Sequence, residues 1–150
     1  MKKDTLSLYI STLCLIGYFP KCPGTVASLF GLLVVMLTST KTALYFIVLI
    51  LFLIMGFFMS GRVERMSNKK DPPEVVIDEF CGMLISVFFI KPTIFNLVSS
   101  FVFFRIFDIL KPFPINKIGN LKGSAGIMLD DILSGIFVNL ILRVIKIAYF

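Results

Sequence analysis

Five carboxylates in this chain stand where carboxylates are costly. Asp78-Glu79, Asp108 and Asp130-Asp131 abut or sit inside apolar runs, and a charge at the centre of a membrane helix costs about 2.5–3.5 kcal/mol on insertion scales. Such acids are tolerable at a membrane face or around a shared cation. With no His and no clustered Cys beside them, they suit a hard, oxygen-seeking ion such as Mg²⁺, whose retained waters usually meet phosphates. Arg105 and Lys111, one turn to either side of Asp108, would then face the phosphate oxygens. The stretch Pro23-Gly24-Thr25 opens an apolar helix and offers backbone N–H groups to an anion, with Thr25 or Ser28 adding a hydroxyl. A simple N-cap is the competing reading there. For the acids, the competing reading is helix-dipole compensation ahead of apolar runs. That reading serves Asp130 and Asp131 well. It serves Asp108 poorly, because Asp108 follows an apolar arm.

Absences narrow the chemistry. The chain has no His, which removes every His base, nucleophile and metal ligand. Six residues after Cys14, Cys22 and Cys81 come Pro20, Ser28 and Val87, so no cysteine-phosphatase loop exists. No two acids are two apart, which excludes the Asp-x-Asp of aspartyl-phosphate enzymes, and nothing acidic follows Asp131, which excludes membrane alcohol-phosphotransferases. The three cysteines lack metal-ligand spacing and read as buried thiols in a reducing setting. The net charge of +6 does not point to nucleic acid. The basic residues flank apolar stretches, and no basic run carries interleaved surface aromatics.

The elements that hold these residues are helices in a membrane. Of the 150 residues 57% are hydrophobic, above the roughly 45–50% of an average soluble domain, and mean hydropathy is +0.96. The length allows a single domain over residues 1–150. From Thr42 to Gly61 run 20 uncharged residues, about 30 Å of helix and the thickness of a hydrocarbon core. Val26 to Thr40 forms a shorter apolar helix, with Lys41 at the turn between the two. Leu6 to Ile16 reads as a retained helix rather than a cleaved leader, since it contains no small-x-small pattern and runs straight into the turn Gly17-Tyr18-Phe19-Pro20. Phe80 to Phe104 is interrupted only by Lys91-Pro92 and reads as a helical hairpin whose arms, 11 and 13 residues, are re-entrant or tilted. Ile132 to Phe150 carries Gly135, Asn139, Arg143 and Lys146 in one polar stripe, which suggests a helix at the interface or packed on the bundle. This hairpin places Lys2, Lys3, Lys21, Arg62, Arg65, Lys69, Lys70, Arg105, Lys111, Lys117 and Lys122 on one side, opposite Lys41 and Lys91. The richer side should be cytoplasmic, and the acids lie on it.

Four blocks then resemble the phosphatidylglycerophosphatase A family. They are Gly17-Tyr-Phe-Pro-Lys-Cys-Pro-Gly-Thr-Val-Ala-Ser28, Asp71-Pro72 with Val76-Ile-Asp-Glu-Phe-Cys-Gly82, Phe104-Arg-Ile-Phe-Asp-Ile-Leu-Lys-Pro-Phe-Pro114, and Gly123-Ser-Ala-Gly-Ile-Met-Leu-Asp-Asp-Ile-Leu-Ser-Gly135. The resemblance implies a compact, all-α, membrane-embedded bundle in the bacterial cytoplasmic membrane. It implies Mg²⁺-dependent removal of the terminal phosphate of phosphatidylglycerophosphate, a membrane phospholipid, with the site facing the cytoplasm. Matched to the family motifs, Asp78, Glu79, Asp108, Asp130 and Asp131 are the expected metal and catalytic acids. Lys111 joins them as a catalytic residue, and Gly24, Thr25, Ser28, Arg105 and Lys111 are the expected phosphate contacts. Ser124-Ala125, Cys81 and Ser134 depart from the family's usual residues, and none of these is a charged motif position. A non-catalytic membrane subunit with the acids as helix caps is the alternative from another class.

Overall fold

The computed structural model describes residues 2–149, and among them it is all-helical without a strand. The helices are α1 (Lys2–Ser11), α2 (Pro23–Thr38), α3 (Thr42–Ser67), α4 (Ile77–Val87), α5 (Ile94–Leu110), α6 (Ile115–Ile118) and α7 (Ser124–Tyr149). Their ends follow local chemistry. Pro23 opens α2, where a missing N–H costs nothing. The Thr93 hydroxyl accepts the Asn96 N–H at the start of α5. Asn68 and Lys111 close α3 and α5 in the left-handed conformation, and Pro112 bars continuation of α5.

Two helices, α3 and α7, are long and apolar enough to cross a membrane. Most of α3's span faces outward, whereas half of α7's is buried. The expected hairpin is present: α4 and α5 are joined through Phe88–Thr93, with Lys91-Pro92 in the connection.

Of the two placements expected for the last segment, at the interface or packed on the bundle, the structure shows the second, in a helix that begins earlier than Ile132. It starts at Ser124 and packs against α3, α4, α5 and α6 as the centre of the bundle. The reason lies in its polar stripe, which is used inside the protein. Asn139 Nδ2 donates to the carbonyls of Ile85, Ser86 and Phe88 at 2.9–3.1 Å, and Arg143 Nη2 donates to Phe88 O at 3.1 Å. These carbonyls lie at or just beyond the C-terminus of α4, where the helix has no further N–H groups of its own to satisfy them. Higher on the same stripe, Gly135 lets α7 lie against α4. A Cβ there would run into the Gly82 carbonyl, and one on Gly82 would meet the Phe104 ring and the Asp131 carbonyl.

Two expectations need correction. Helix α1 stops at Ser11, short of Ile16, and Leu13, Cys14 and Leu15 follow with positive φ. There the Ser11 carbonyl leaves the helix to accept Val76 N–H at 2.9 Å, and Thr12 Oγ1 accepts Leu15 N–H. Of the cysteines only Cys81 is buried; Cys14 and Cys22 are exposed, because both sit on the turns around α1 and α2 rather than in the apolar packing.

The bundle has two chemically distinct ends. Tyr45 donates to Leu84 O and stacks on Phe88, which brings the Lys41 turn and the Lys91 turn together. At the opposite end Ser124 Oγ accepts Gly61 N–H, and Lys70 reaches Asn120. The acid-bearing first turn of α4 belongs to that second end.

Candidate active site

Asp78 and Glu79 occupy the first turn of α4, and Asp131 lies nearly two turns inside α7. The close approach at Gly82 and Gly135 sets these helices so that oxygens of Asp78, Glu79 and Asp131 all lie within 4.8 Å of one another. Asp78 and Asp131 are 6% and 2% exposed. Asp78 Oδ1, Glu79 Oε2 and Asp131 Oδ1 are buried with no hydrogen-bond partner among the described residues. Three clustered carboxylates with idle oxygens are a costly arrangement unless a cation completes it. The donor set is all hard oxygen, so it fits a divalent cation of the Mg²⁺ type.

These acids open into a cleft of about 370 Å³ whose walls include Gly24, Thr25, Asp71, Arg105, Asp108 and Lys111. Arg105 Nη1 is 2.6 Å from Asp108 Oδ2, an ion pair whose alignment falls short of a hydrogen bond. Gly24 carries α2 against Glu79; a Cβ there would collide with the Glu79 carboxylate and touch Arg105. Larger apolar cavities exist at the other end of the bundle, but no carboxylate lines them.

Asp130 and Ser28 are placed differently from the other expected site residues. Asp130 points away from the trio: its Oδ2 lies 2.5 Å from Lys111 Nζ and its Oδ1 accepts Asp131 N–H at 3.0 Å. It does not line the cleft. Ser28 is fully buried, donates to Gly24 O at 2.8 Å, and is absent from the cleft wall. Asp130 and Asp131 also lie too far inside α7 to cap it, which removes the dipole account that the sequence permits for them.

Asp71 was not among the expected site residues. It lines the cleft and, with Lys111, an adjoining polar pocket of about 360 Å³ that also includes Lys70 and Asn120. The available signal was its place in the Asp71-Pro72 match; it stands outside any apolar run, so cost of burial did not mark it. Its surroundings push its carboxyl upward, by desolvation first and then by Asp108 and Glu64, against Lys111 and Lys70. The residue remains exposed, so water screens this effect. For Lys111, burial works against the charge. The hydrogen bond to Asp130 and the charges of Asp130, Asp131 and Asp71 outweigh it and hold the ammonium above the ordinary lysine range.

A sequence profile of phosphatidylglycerophosphatase A matches residues 9–146. The chain belongs to the phosphatidylglycerophosphatase A family. Among its relatives, a protein of Escherichia coli K12 named phosphatidylglycerophosphatase A is 33% identical over 123 residues, covering 80% of this chain and 72% of that one. One of the same name from Haemophilus influenzae is 31% identical over 134 residues, covering 87% and 82%. A Bacteroides thetaiotaomicron protein, provisionally named a phosphatidylinositol-3-phosphatase, is 29% identical over 145 residues, covering 87% of each chain. No solved structure matches. The family's profile spans α2 through most of α7, and so includes every residue of the cleft.

Proposed function

We propose that this protein hydrolyses the terminal phosphomonoester of phosphatidylglycerophosphate, releasing phosphate and phosphatidylglycerol, with Mg²⁺ as cofactor. The observation that carries this reading is the trio Asp78, Glu79 and Asp131, each with an idle buried oxygen, opening into a cleft that also presents Arg105 and Lys111. In this reading the trio holds the cation. When bound, such an ion supplies a nucleophile at neutral pH and neutralises charge on the phosphoryl oxygens.

The chain's own residues do the rest. Arg105 and Lys111 hold the phosphoryl oxygens and stabilise the charge that grows on them as the ester bond breaks. Gly24 and Thr25, at the positive end of α2, lie against the same anion. Hydrolysis forms one P–O bond from water and breaks the ester P–O bond, so a proton passes from the water to the leaving glycerol oxygen. Asp108 lines the cleft outside the trio and is our assignment for the group that takes and returns this proton. Asp130 acts through Lys111, fixing its ammonium over the cleft.

We place the protein in the bacterial cytoplasmic membrane with the cleft facing the cytoplasm. Lys21, Arg62, Arg65, Lys69, Lys70, Arg105, Lys111, Lys117 and Lys122 surround the acidic end, against Lys41, Lys91, Arg143 and Lys146 at the other. A site at this face lets the substrate's acyl chains stay in the bilayer.

Phosphate release from phosphatidylglycerophosphate in mixed micelles, with Mg²⁺ and with excess chelator, tests the proposal. Release that chelator abolishes and Mg²⁺ restores is expected; full activity in chelator removes the cation from the account. Phosphatidylinositol 3-phosphate is the comparison substrate, since one relative is named for it. A preference for that lipid would move the substrate assignment and leave the phosphomonoesterase reading in place.

A further inference from the structure

At the end of the bundle away from the acids, two cavities of about 390 and 480 Å³ adjoin, sharing Asn96, Leu142 and Lys146. They run between the first turn of α5 and the last turns of α7. Their walls are mostly apolar, with Phe89 and Ile90 in one and Phe95 and Ile145 in the other. Their volumes are those of sites for small amphiphiles.

The charge around this groove is one-sided. Lys91, Arg143 and Lys146 line it, three of the four basic residues at this end; Lys41 is the fourth. Among the described residues, no acidic side chain lines either cavity. Arg143 is committed in part to Asn139 and to the Phe88 carbonyl, whereas Lys91 and Lys146 are exposed. Basic residues on the side opposite the cationic face go against the usual charge bias of membrane proteins. Three converging on one apolar groove therefore call for an anionic, chain-bearing occupant.

We propose that this groove binds an anionic phospholipid from the leaflet opposite the catalytic cleft, its acyl chain along the apolar wall and its phosphate between Lys91 and Lys146. The site is separate from the cleft and stands whether or not the cleft acts on phosphatidylglycerophosphate.

Lipid retention by the purified full-length protein, read by native mass spectrometry and by thermal unfolding in detergent, tests it with added phosphatidylglycerol and phosphatidylcholine. The wild type should retain phosphatidylglycerol in preference and be stabilised by it. Lys91→Gln/Lys146→Gln should weaken that binding roughly tenfold or more, given the attraction of each basic side chain for an anionic headgroup. Lys91→Arg/Lys146→Arg, which keeps the charge, should restore it. Lys111→Ala at the cleft should leave it unchanged, which separates this site from binding of the same lipid as a product. Equal retention of the two lipids overturns the proposal. So does a preference that survives the Gln pair, that the Arg pair fails to restore, or that disappears with Lys111→Ala.

Discussion

Lys111 Nζ lies 2.5 Å from Asp130 Oδ2, tethering a cation of the cleft to a carboxylate that does not itself line it. The neighbouring Asp131 faces the opposite task, with an idle buried oxygen in the acidic trio. Two adjacent acids thus have different partners, and substitution should separate them.

Asp78→Asn and Asp131→Asn remove a charge from the trio and should lower turnover by about two orders of magnitude or more while raising the Mg²⁺ concentration needed. Asp130→Asn frees Lys111 and should lower turnover roughly 10–100-fold without moving the Mg²⁺ requirement. Specific activity of the folded fraction across a Mg²⁺ titration checks this. A Mg²⁺ requirement that moves equally in all three variants would return Asp130 to the metal-holding group. Near-normal activity in all three would leave the acids a structural role only.

Asn139→Ala should destabilise the protein without harming its chemistry. Its amide serves three carbonyls at the end of α4, remote from the cleft. Leaving buried carbonyls unpaired costs about 1–3 kcal/mol, so thermal unfolding in detergent should shift downward while specific activity of the folded fraction holds. A stable Asn139→Ala protein would mean that water or lipid reaches those carbonyls.

The cysteines should be dispensable, with one instructive exception under labelling. Cys22 is exposed and lines the cleft, while Cys81 is buried and does not line it. The triple Ala variant should keep most activity. A protein retaining Cys22 alone should lose activity when a maleimide is attached, because the adduct fills the cleft mouth. Inactivity of a folded Cys22→Ala variant would assign the thiol itself a role.

Labelling single cysteines placed at 41, 70, 91 and 117, in a background free of native cysteines, should divide them into two pairs. Positions 70 and 117 should react from one face, and 41 and 91 from the other, as the two ends of the bundle require. If 70 and 117 react from opposite faces, Lys70 and the α6 region cannot border one pocket.

The sequence by itself determined the helical class, the long apolar span, the hairpin at Lys91-Pro92 and the gathering of acids at one end. These are legible because each depends on local pattern: runs of apolar residues, a Pro that breaks a helix, and charges that avoid lipid. Only the tertiary structure decided which acids meet. Successive side chains on a helix diverge by roughly 100°, so Asp130 turns to Lys111 while Asp131 meets two residues of α4. That meeting depends on how deeply α7 sits against α4, which the Gly82–Gly135 contact sets across more than fifty residues of chain. The same distance hid the use of Asn139, whose partners are fixed by packing and not by spacing. Asp71 escaped notice for the converse reason: its loop has no periodicity, and only folding carries it to the cleft.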